Sequence, residues 1–431
     1  MKTKLFFLCF FIFQLTDAQN ITFSDPVLKD FLLIAPINFN QDPNNYITYP
    51  PIDSNSDGEI SMTEALNVIG LDLYYLNITN LEGLQYFTNL KVISTYYANF
   101  PNFNQPTLVN LEQLSLLNSV GYSSLTSVDV SNNTNLVKFQ CSSDLITSLD
   151  LSNNTLLRNV DIYCPSLTAV NFSNLVNLKS LSYLGKLPTI DISDAVNLLH
   201  LGCVGSSGTF SYPLENRLTS LDLTNQTKLI SLDVTGNTLS SLDLSSCLNL
   251  ETIYISNNLI STLNITDVAY VKNFFCEGNL LSDLNVDTMF NLKNFSCKNN
   301  QLTSLSTKNR VIEEYIDFSG NPDLNSICCD ANEVVYIQNQ CFLNNNDSVV
   351  VNSNCGASSK IAMYPNPVKD MLHLKSSISI SKVEIYSTSG LLVMKDESQS
   401  DVIDMNVLKS GMYFIRVYSS DGVAVMKCVK Q

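Results

Sequence analysis

The residues whose spacing speaks most directly of chemistry form the stretch Asp53-Ser-Asn-Ser-Asp-Gly-Glu-Ile-Ser-Met-Thr-Glu64. Asp53, Asn55 and Asp57 stand at alternate positions, so three short oxygen-bearing side chains can face one point. Gly58 allows the chain to turn sharply there. Glu59 can lend its backbone carbonyl, Ser61 can hold a water, and Glu64 can close the shell with two oxygens. A Ca²⁺ ion takes roughly six to eight hard oxygens, and this set supplies them in chain order.

The pattern resembles the EF-hand loop and matches it at each diagnostic position. It departs from that family just upstream, where Pro50-Pro51 bars a helix from running into the loop. A helix around Asp25 to Ile34 is expected to pack against the loop from a distance, and an exiting helix is expected over Met62 to Val68. No second such loop accompanies it, which disfavours a paired calcium sensor. The expectation is one structural ion that stabilises an N-terminal cap over residues 19–70.

Other catalytic chemistry is hard to assemble. The chain has 2 histidines, His200 and His373, far apart and without a neighbouring nucleophile or zinc motif. Asp129, Asp150, Asp191, Asp222 and Asp243 recur in step with a repeat, which suits a structural role better than a unique catalytic site. No glycine-rich phosphate loop is present. The sequence therefore predicts a protein that is not an enzyme.

The elements that must carry these residues follow from that repeat. Asn237, Asn258, Asn279, Asn300 and Asn321 are 21 residues apart, and Val234, Ile255, Cys276, Cys297 and Phe318 keep the same step. Apolar pairs such as Leu221-Asp-Leu223 and Leu242-Asp-Leu244 recur with them. Alternating apolar residues make a short strand with one face inward. No single coil buries that face alone, so coils must stack. The asparagine after each strand can donate to and accept from peptide groups that the turn leaves unpaired. Units such as Leu292-Lys-Asn-Phe-Ser-Cys-Lys-Asn-Asn-Gln-Leu302 resemble the leucine-rich repeat, and their length resembles the internalin-like bacterial version. The predicted fold is mainly β: a leucine-rich-repeat solenoid over residues 71–327, of about nine coils of ~21 residues, with an extended or 3₁₀ convex side. One step of 31 residues, between Ile190 and Leu221, places an insertion near Gly202 to Pro213.

Of the 12 cysteines, Cys141, Cys203, Cys276 and Cys297 take inward positions where a small apolar residue would serve. Cys328, Cys329, Cys341 and Cys355 instead follow the last coil, in a segment, 328–355, that breaks the repeat. They read as a disulfide-stapled C-terminal cap, with the pairing open.

Residues 1–18, MKTKLFFLCFFIFQLTDA, have the charged start, short apolar run and small terminal residue of a secretory signal peptide. A formal net charge of −16 argues against nucleic acid and anionic membrane as partners. After a short linker, 356–360, residues 361–431 alternate in period two and predict a small antiparallel β-sandwich. Tyr364-Pro-Asn-Pro367, the Tyr-Ser-Thr-Ser-Gly390 turn, Leu408-Lys-Ser-Gly-Met-Tyr413 and the basic ending Lys427-Cys-Val-Lys430 resemble the C-terminal sorting domain of the type IX secretion system. That resemblance implies export across a Gram-negative outer membrane, engagement of the secretion machinery, and a mature protein that is cell-surface or secreted.

Together these readings predict an exported binding protein, acting in adhesion or protein–protein recognition. The alternative is a glycan-binding or structural cell-envelope protein. The candidate surface is the outward row of the strands: Asp233, Thr235, Tyr254, Ser256, Phe275, Glu277, Ser296, Lys298, Asp317 and Ser319, with Tyr254 and Phe275 as an aromatic anchor.

Overall fold

The computed structural model describes residues 19–38, 49–74, 76–97, 99–118, 123–205, 217–343, 349–353, 361–376, 379–388, 391–398, 400–419 and 422–431. The proposed signal peptide, most of the insertion and the linker lie outside these. The chain divides into two compact units, Met1–Thr155 and Leu156–Gln431.

In the first unit, helix α1 (Pro26–Ile34) begins where Asp25 caps it, accepting from the N–H groups of Val27 and Leu28, with proline in the first turn. Helix α2 (Met62–Ala65) is one turn long and starts in a reciprocal capping box between Ser61 and Glu64. It stops short of the expected Val68 because Val68 already turns its N–H to the Ala65 carbonyl in the loop that leads into the first strand. Four parallel strands follow, Gly70–Tyr74, Val92–Tyr96, Gln113–Leu117 and Lys138–Ser142. Their inward residues Leu71, Ile93, Leu114 and Phe139 stand in register and are buried.

The second unit continues the pattern with eight parallel strands, from Asn159–Tyr163 to Tyr315–Asp317. Val160, Leu181, Leu201, Leu232, Ile253, Phe274, Phe295 and Ile316 form its inward column. Phe274 and Phe295 stack at 5.7 Å. The solenoid thus has about twelve turns rather than nine. The first strands are offset by 22, 21 and 25 residues, which breaks the regular count. Across the insertion the offset is 31, from His200 to Ser231. Beyond the asparagine turns short strands pair in parallel, Ser241–Asp243 with Thr262–Asn264 and Asp283–Asn285 with Ser304–Thr307.

The turn asparagines do what their period predicts. Asn279 Nδ2 donates to the carbonyls of Ile255 and Cys276, both at 3.0 Å, and its Oδ1 accepts from the Ile260 N–H at 3.0 Å. Asn258 and Asn300 repeat the scheme one turn earlier and one later. The preceding position carries a second rule. Gly236, Asn257, Gly278, Asn299 and Gly320 all have positive φ, between 55° and 76°. Glycine and asparagine are the residues that tolerate this left-handed turn.

Cys141, Cys203, Cys276 and Cys297 are buried thiols outside any disulfide. The cap differs from expectation. Cys328 is disulfide-bonded, but Cys329 and Cys341 are buried thiols outside any disulfide, and Cys355 lies outside the described residues. Packing and strand pairing also hold the cap. Helix α3 (Val334–Leu343) buries Val334, Ile337, Gln338 and Cys341. The strand Ser326–Cys329 pairs with Val350–Asn352.

The tail is an antiparallel two-sheet sandwich. One layer has Ile361–Tyr364, Met371–Ser376 and Val402–Asp404. The other has Ile380–Ser387, Leu392–Asp396, Gly411–Ser419 and Gly422–Lys430. Leu372, Ile385, Ile403, Ile415 and Cys428 are among the core residues between them. The last strand also pairs edge to edge with Val350–Asn352, at Val351↔Val425 and Asn352↔Ala424, so tail and solenoid cap share one sheet.

Candidate functional site

The acidic loop is built from short turns closed by its own side chains. Asp53 accepts from the N–H groups of Asp57 and Gly58, at 3.2 and 3.1 Å. Asn55 Oδ1 accepts from the Asp57 N–H at 3.0 Å, and Asp57 Oδ1 from the Glu59 N–H at 2.9 Å. Gly58 takes φ +78°, the left-handed turn its place in the motif requires. Asp53 and Glu64 are buried. Ile60 is also buried, and its carbonyl accepts from the Ile21 N–H at 2.8 Å, so the segment Gln19–Ile21 flanks the loop as a short bridge.

Glu64 serves two masters. Its Oε1 accepts from the Ser54 N–H and hydroxyl, and its Oε2 from those of Ser61, all at 2.9 Å. Burial alone would raise its pKa; the donors from Ser61 and Ser54 outweigh this and hold it below the ordinary value. The side chain of Glu59 is engaged by Lys29 at 2.7 Å, which leaves the backbone carbonyl as its natural ligand. Among the described residues no three His, Cys, Asp or Glu side chains converge as a metal cluster. The loop has the residue types, the chain order and the Gly58 turn that a calcium loop needs, and its acids are turned onto the loop's own N–H and hydroxyl groups.

The second candidate is the outward sheet row. Asp233, Tyr254, Phe275, Ser296 and Asp317 stand opposite one another in register. Tyr254 and Phe275 stack, with centroids 5.3 Å apart and planes 18° from parallel. Lys298 reaches Asp317 at 3.8 Å. Asp233 and Asp317 each accept from an N–H two residues on, Thr235 and Ser319, at 3.0 and 2.9 Å. Glu277 is half-buried beside this row, its carbonyl accepting from the Asn257 N–H at 2.7 Å. Ser256 and Ser296 must be struck from the accessible surface, at 7% and 0% exposed. Their carbonyls accept from the neighbouring turn, Ser256 from Gly236 and Ser296 from Cys276, which pins both residues where the sheet is tightly packed.

A second aromatic pair escaped the sequence reading. Tyr74 and Tyr96, opposite each other on the first two strands, stack at 5.5 Å. The signal was there in the tyrosines of Asp72-Leu-Tyr-Tyr75 and Thr95-Tyr-Tyr97, 22 residues apart. His200 and His373 sit on separate strands; the latter stacks on Tyr364 at 5.5 Å.

Residues 362–431 match the family of secretion system C-terminal sorting domains. The tail sandwich is therefore a sorting domain, and it implies export to the cell surface or beyond. Comparison with curated proteins finds no match. Among solved structures, the functional domain of InlJ from Listeria monocytogenes is similar, with 17% identity, a TM-score of 0.49, and coverage of 86% of this chain and 93% of that one. The internalin inlF from the same species has 18% identity and a TM-score of 0.43, covering 71% and 95%. A leucine-rich-repeat protein of Leptospira interrogans has 16% identity and a TM-score of 0.44, covering 75% and 98%. The solenoid itself is defined by the register of its parallel strands. Among the described residues no helix is long and apolar enough to cross a membrane.

Proposed function

We propose that this chain is a cell-surface or secreted recognition protein, exported by the type IX system through its sorting domain, that binds a protein partner on the outward row of its solenoid. The carrying observation is the Tyr254–Phe275 stack, set in register between Asp233 and Asp317. Side-by-side rings on a stiff sheet are an aromatic anchor that loses little conformational entropy on binding. Asp233, Glu277, Lys298 and Asp317 give the anchor a charged surround. The repeated aspartates and separated histidines favour binding over catalysis.

One Ca²⁺ belongs to this reading as a structural ion of the N-terminal cap, held by Asp53, Asn55, Asp57, the Glu59 carbonyl, Ser61 through water, and Glu64. It would supply positive charge to a loop that otherwise folds its acids onto backbone N–H groups.

The test is capture of surface proteins from neighbouring cells by the immobilised full chain and by a Tyr254→Ala, Phe275→Ala double variant. A partner retained by the first and lost by the second, with unchanged unfolding temperature, is expected. Equal capture by both would remove the aromatic row from the reading. Recovery of glycans alone would replace the protein partner.

A further inference from the structure

The last coils hold two buried glutamates that neither the recognition row nor the tail core uses. Glu313 lies in the loop between strands Ser304–Thr307 and Tyr315–Asp317, and Glu333 immediately precedes α3. They are 3% and 0% exposed. Buried Asn309 donates to Glu313 Oε1 at 2.8 Å, and the Asp330 N–H reaches Glu333 Oε2 at 3.4 Å. The remaining oxygens, Glu313 Oε2 and Glu333 Oε1, receive no N–H or hydroxyl from the described residues. Arg310, the residue after Asn309, gives its N–H to Asp330, which in turn bonds Glu333, so the two buried carboxyls belong to one cluster.

Two ionised carboxylates so placed in a buried cluster would repel strongly, whereas one proton between them allows a hydrogen bond. Among the described residues, the charged groups that act on the pair add to the repulsion. Asp330 adds a further negative charge to both. The Cys329 thiol and the Tyr336 hydroxyl also feel the pair, both being pushed up by burial and by these acids, and Cys341 acts on Cys329. Arg310 gives Asp330 its backbone N–H at 2.5 Å, but its guanidinium lies over the Phe290 ring, 5.8 Å from the centroid. Burial pushes both carboxyls above the ordinary range, and for Glu333 the facing charge of Glu313 adds to the effect.

We propose that Glu313 and Glu333 share one proton that locks helix α3 onto the last coils, and that this lock opens as the proton is lost toward alkaline pH. The unfolded chain releases the same proton near the ordinary carboxyl value of 4.5. Above that pH the folded cap binds more protons than the open one, so rising pH favours opening. For one proton the opening equilibrium grows about tenfold per pH unit until the pair itself ionises. The consequence reaches the sorting domain, because α3 packs against Val350–Asn352 and Gly422–Lys430, and its Phe342 ring holds the Lys427 ammonium at 4.9 Å.

The experiment is amide hydrogen exchange of the full chain, corrected for intrinsic rates, from about pH 5 to about pH 8. Protection of α3 is expected to fall about tenfold per unit over at least part of this range, while the central coils hold theirs. In Glu333→Gln, whose amide donates at any pH, and in Glu313→Gln, the slope should vanish; either variant suffices if the other fails to fold. A flat profile in the wild type, or an unchanged slope in a folded variant, overturns the proposal. So does recovery of wild-type protection at the alkaline end on adding millimolar CaCl₂ or MgCl₂, which would make the pair a cation site.

Discussion

Asp25 and Thr79 are joined by two hydrogen bonds across 54 positions of chain: the Thr79 N–H and hydroxyl donate to Asp25 Oδ2 at 2.6 and 2.7 Å. The other Asp25 oxygen caps α1. One buried carboxylate thus fixes a helix start and ties it to the first coil. Asp25→Ala should destabilise the first unit by about 2–4 kcal/mol, from the lost cap and the orphaned Thr79 donors, as read by urea unfolding. Burial would raise the Asp25 pKa, but its donors from Thr79, Leu28 and Val27 hold it below 3.8. Its contribution is therefore complete above that value and fades as pH falls through the lower folded one. An Asp25→Asn protein should lack that acid-dependent loss.

Calcium should raise the unfolding temperature of the N-terminal cap. A ligand that binds only the folded form stabilises by mass action, about 1.4 kcal/mol when its concentration is tenfold above Kd. Calorimetry with CaCl₂ and with EGTA is the check, and Asp53→Asn should abolish the difference. An unchanged melting temperature in the wild type would remove the ion from this loop.

The parts of this architecture that repeat could be read from the sequence; the parts that occur once could not. The step shared by Asn237, Asn258, Asn279, Asn300 and Asn321 revealed the turn scheme because each coil solves the same backbone problem. The Asp25–Thr79 tie has no local pattern, and no periodicity announces it. Helix α3 was half legible. Its buried Val334, Ile337, Gln338 and Cys341 keep helical spacing, but Val-Val-Tyr-Ile reads as strand, and tertiary packing overrides that propensity. The edge pairing of Val351 with Val425 depends on which strand edge lies free after folding, a property of the assembled sheet. For the outward row, strand alternation identified the exposed face but not the depth at which Ser256 and Ser296 sit.

The left-handed turn position should discriminate sharply between residue types. A Cβ at Gly278 would stand 2.7 Å from Asn257 Oδ1, and the backbone there has φ +63°. Gly278→Ala should cost roughly 1–3 kcal/mol, whereas Asn257→Gly, which keeps the turn, should cost under about 1 kcal/mol. Asn279→Ala leaves the carbonyls of Ile255 and Cys276 with their second donors, Asn258 and Asn300, but orphans the Ile260 N–H, and should cost on the order of 1–3 kcal/mol. Urea unfolding of the three proteins ranks them; a Gly278→Ala variant as stable as wild type would show that this turn can relax into another conformation.

The sorting domain has its own acid limit, set by Glu384. This carboxylate is 8% exposed and accepts from Tyr418 at 2.6 Å, Tyr386 at 2.7 Å and Lys382 at 2.9 Å. Lys382 and Tyr418 face each other across neighbouring strands, and the ammonium lies 3.8 Å from the Tyr418 ring centroid. Burial would raise the Glu384 pKa; the bonds from Tyr418, Lys382 and Tyr386 overcome it and hold the group at about 2. A depressed carboxyl stabilises fully above its unfolded value and loses that contribution as pH falls through the folded one. With allowance for the partly solvated network, about 1–2 kcal/mol of sorting-domain stability should disappear between the ordinary carboxyl value of 4.5 and about 2. Glu384→Gln should start lower at neutral pH and show a flatter acid profile, because its amide neither titrates nor accepts three donors with a full charge. Hydrogen exchange of the strands Ile380–Ser387 and Gly411–Ser419 follows both proteins through that range. Parallel profiles would mean that acid opens the sandwich elsewhere.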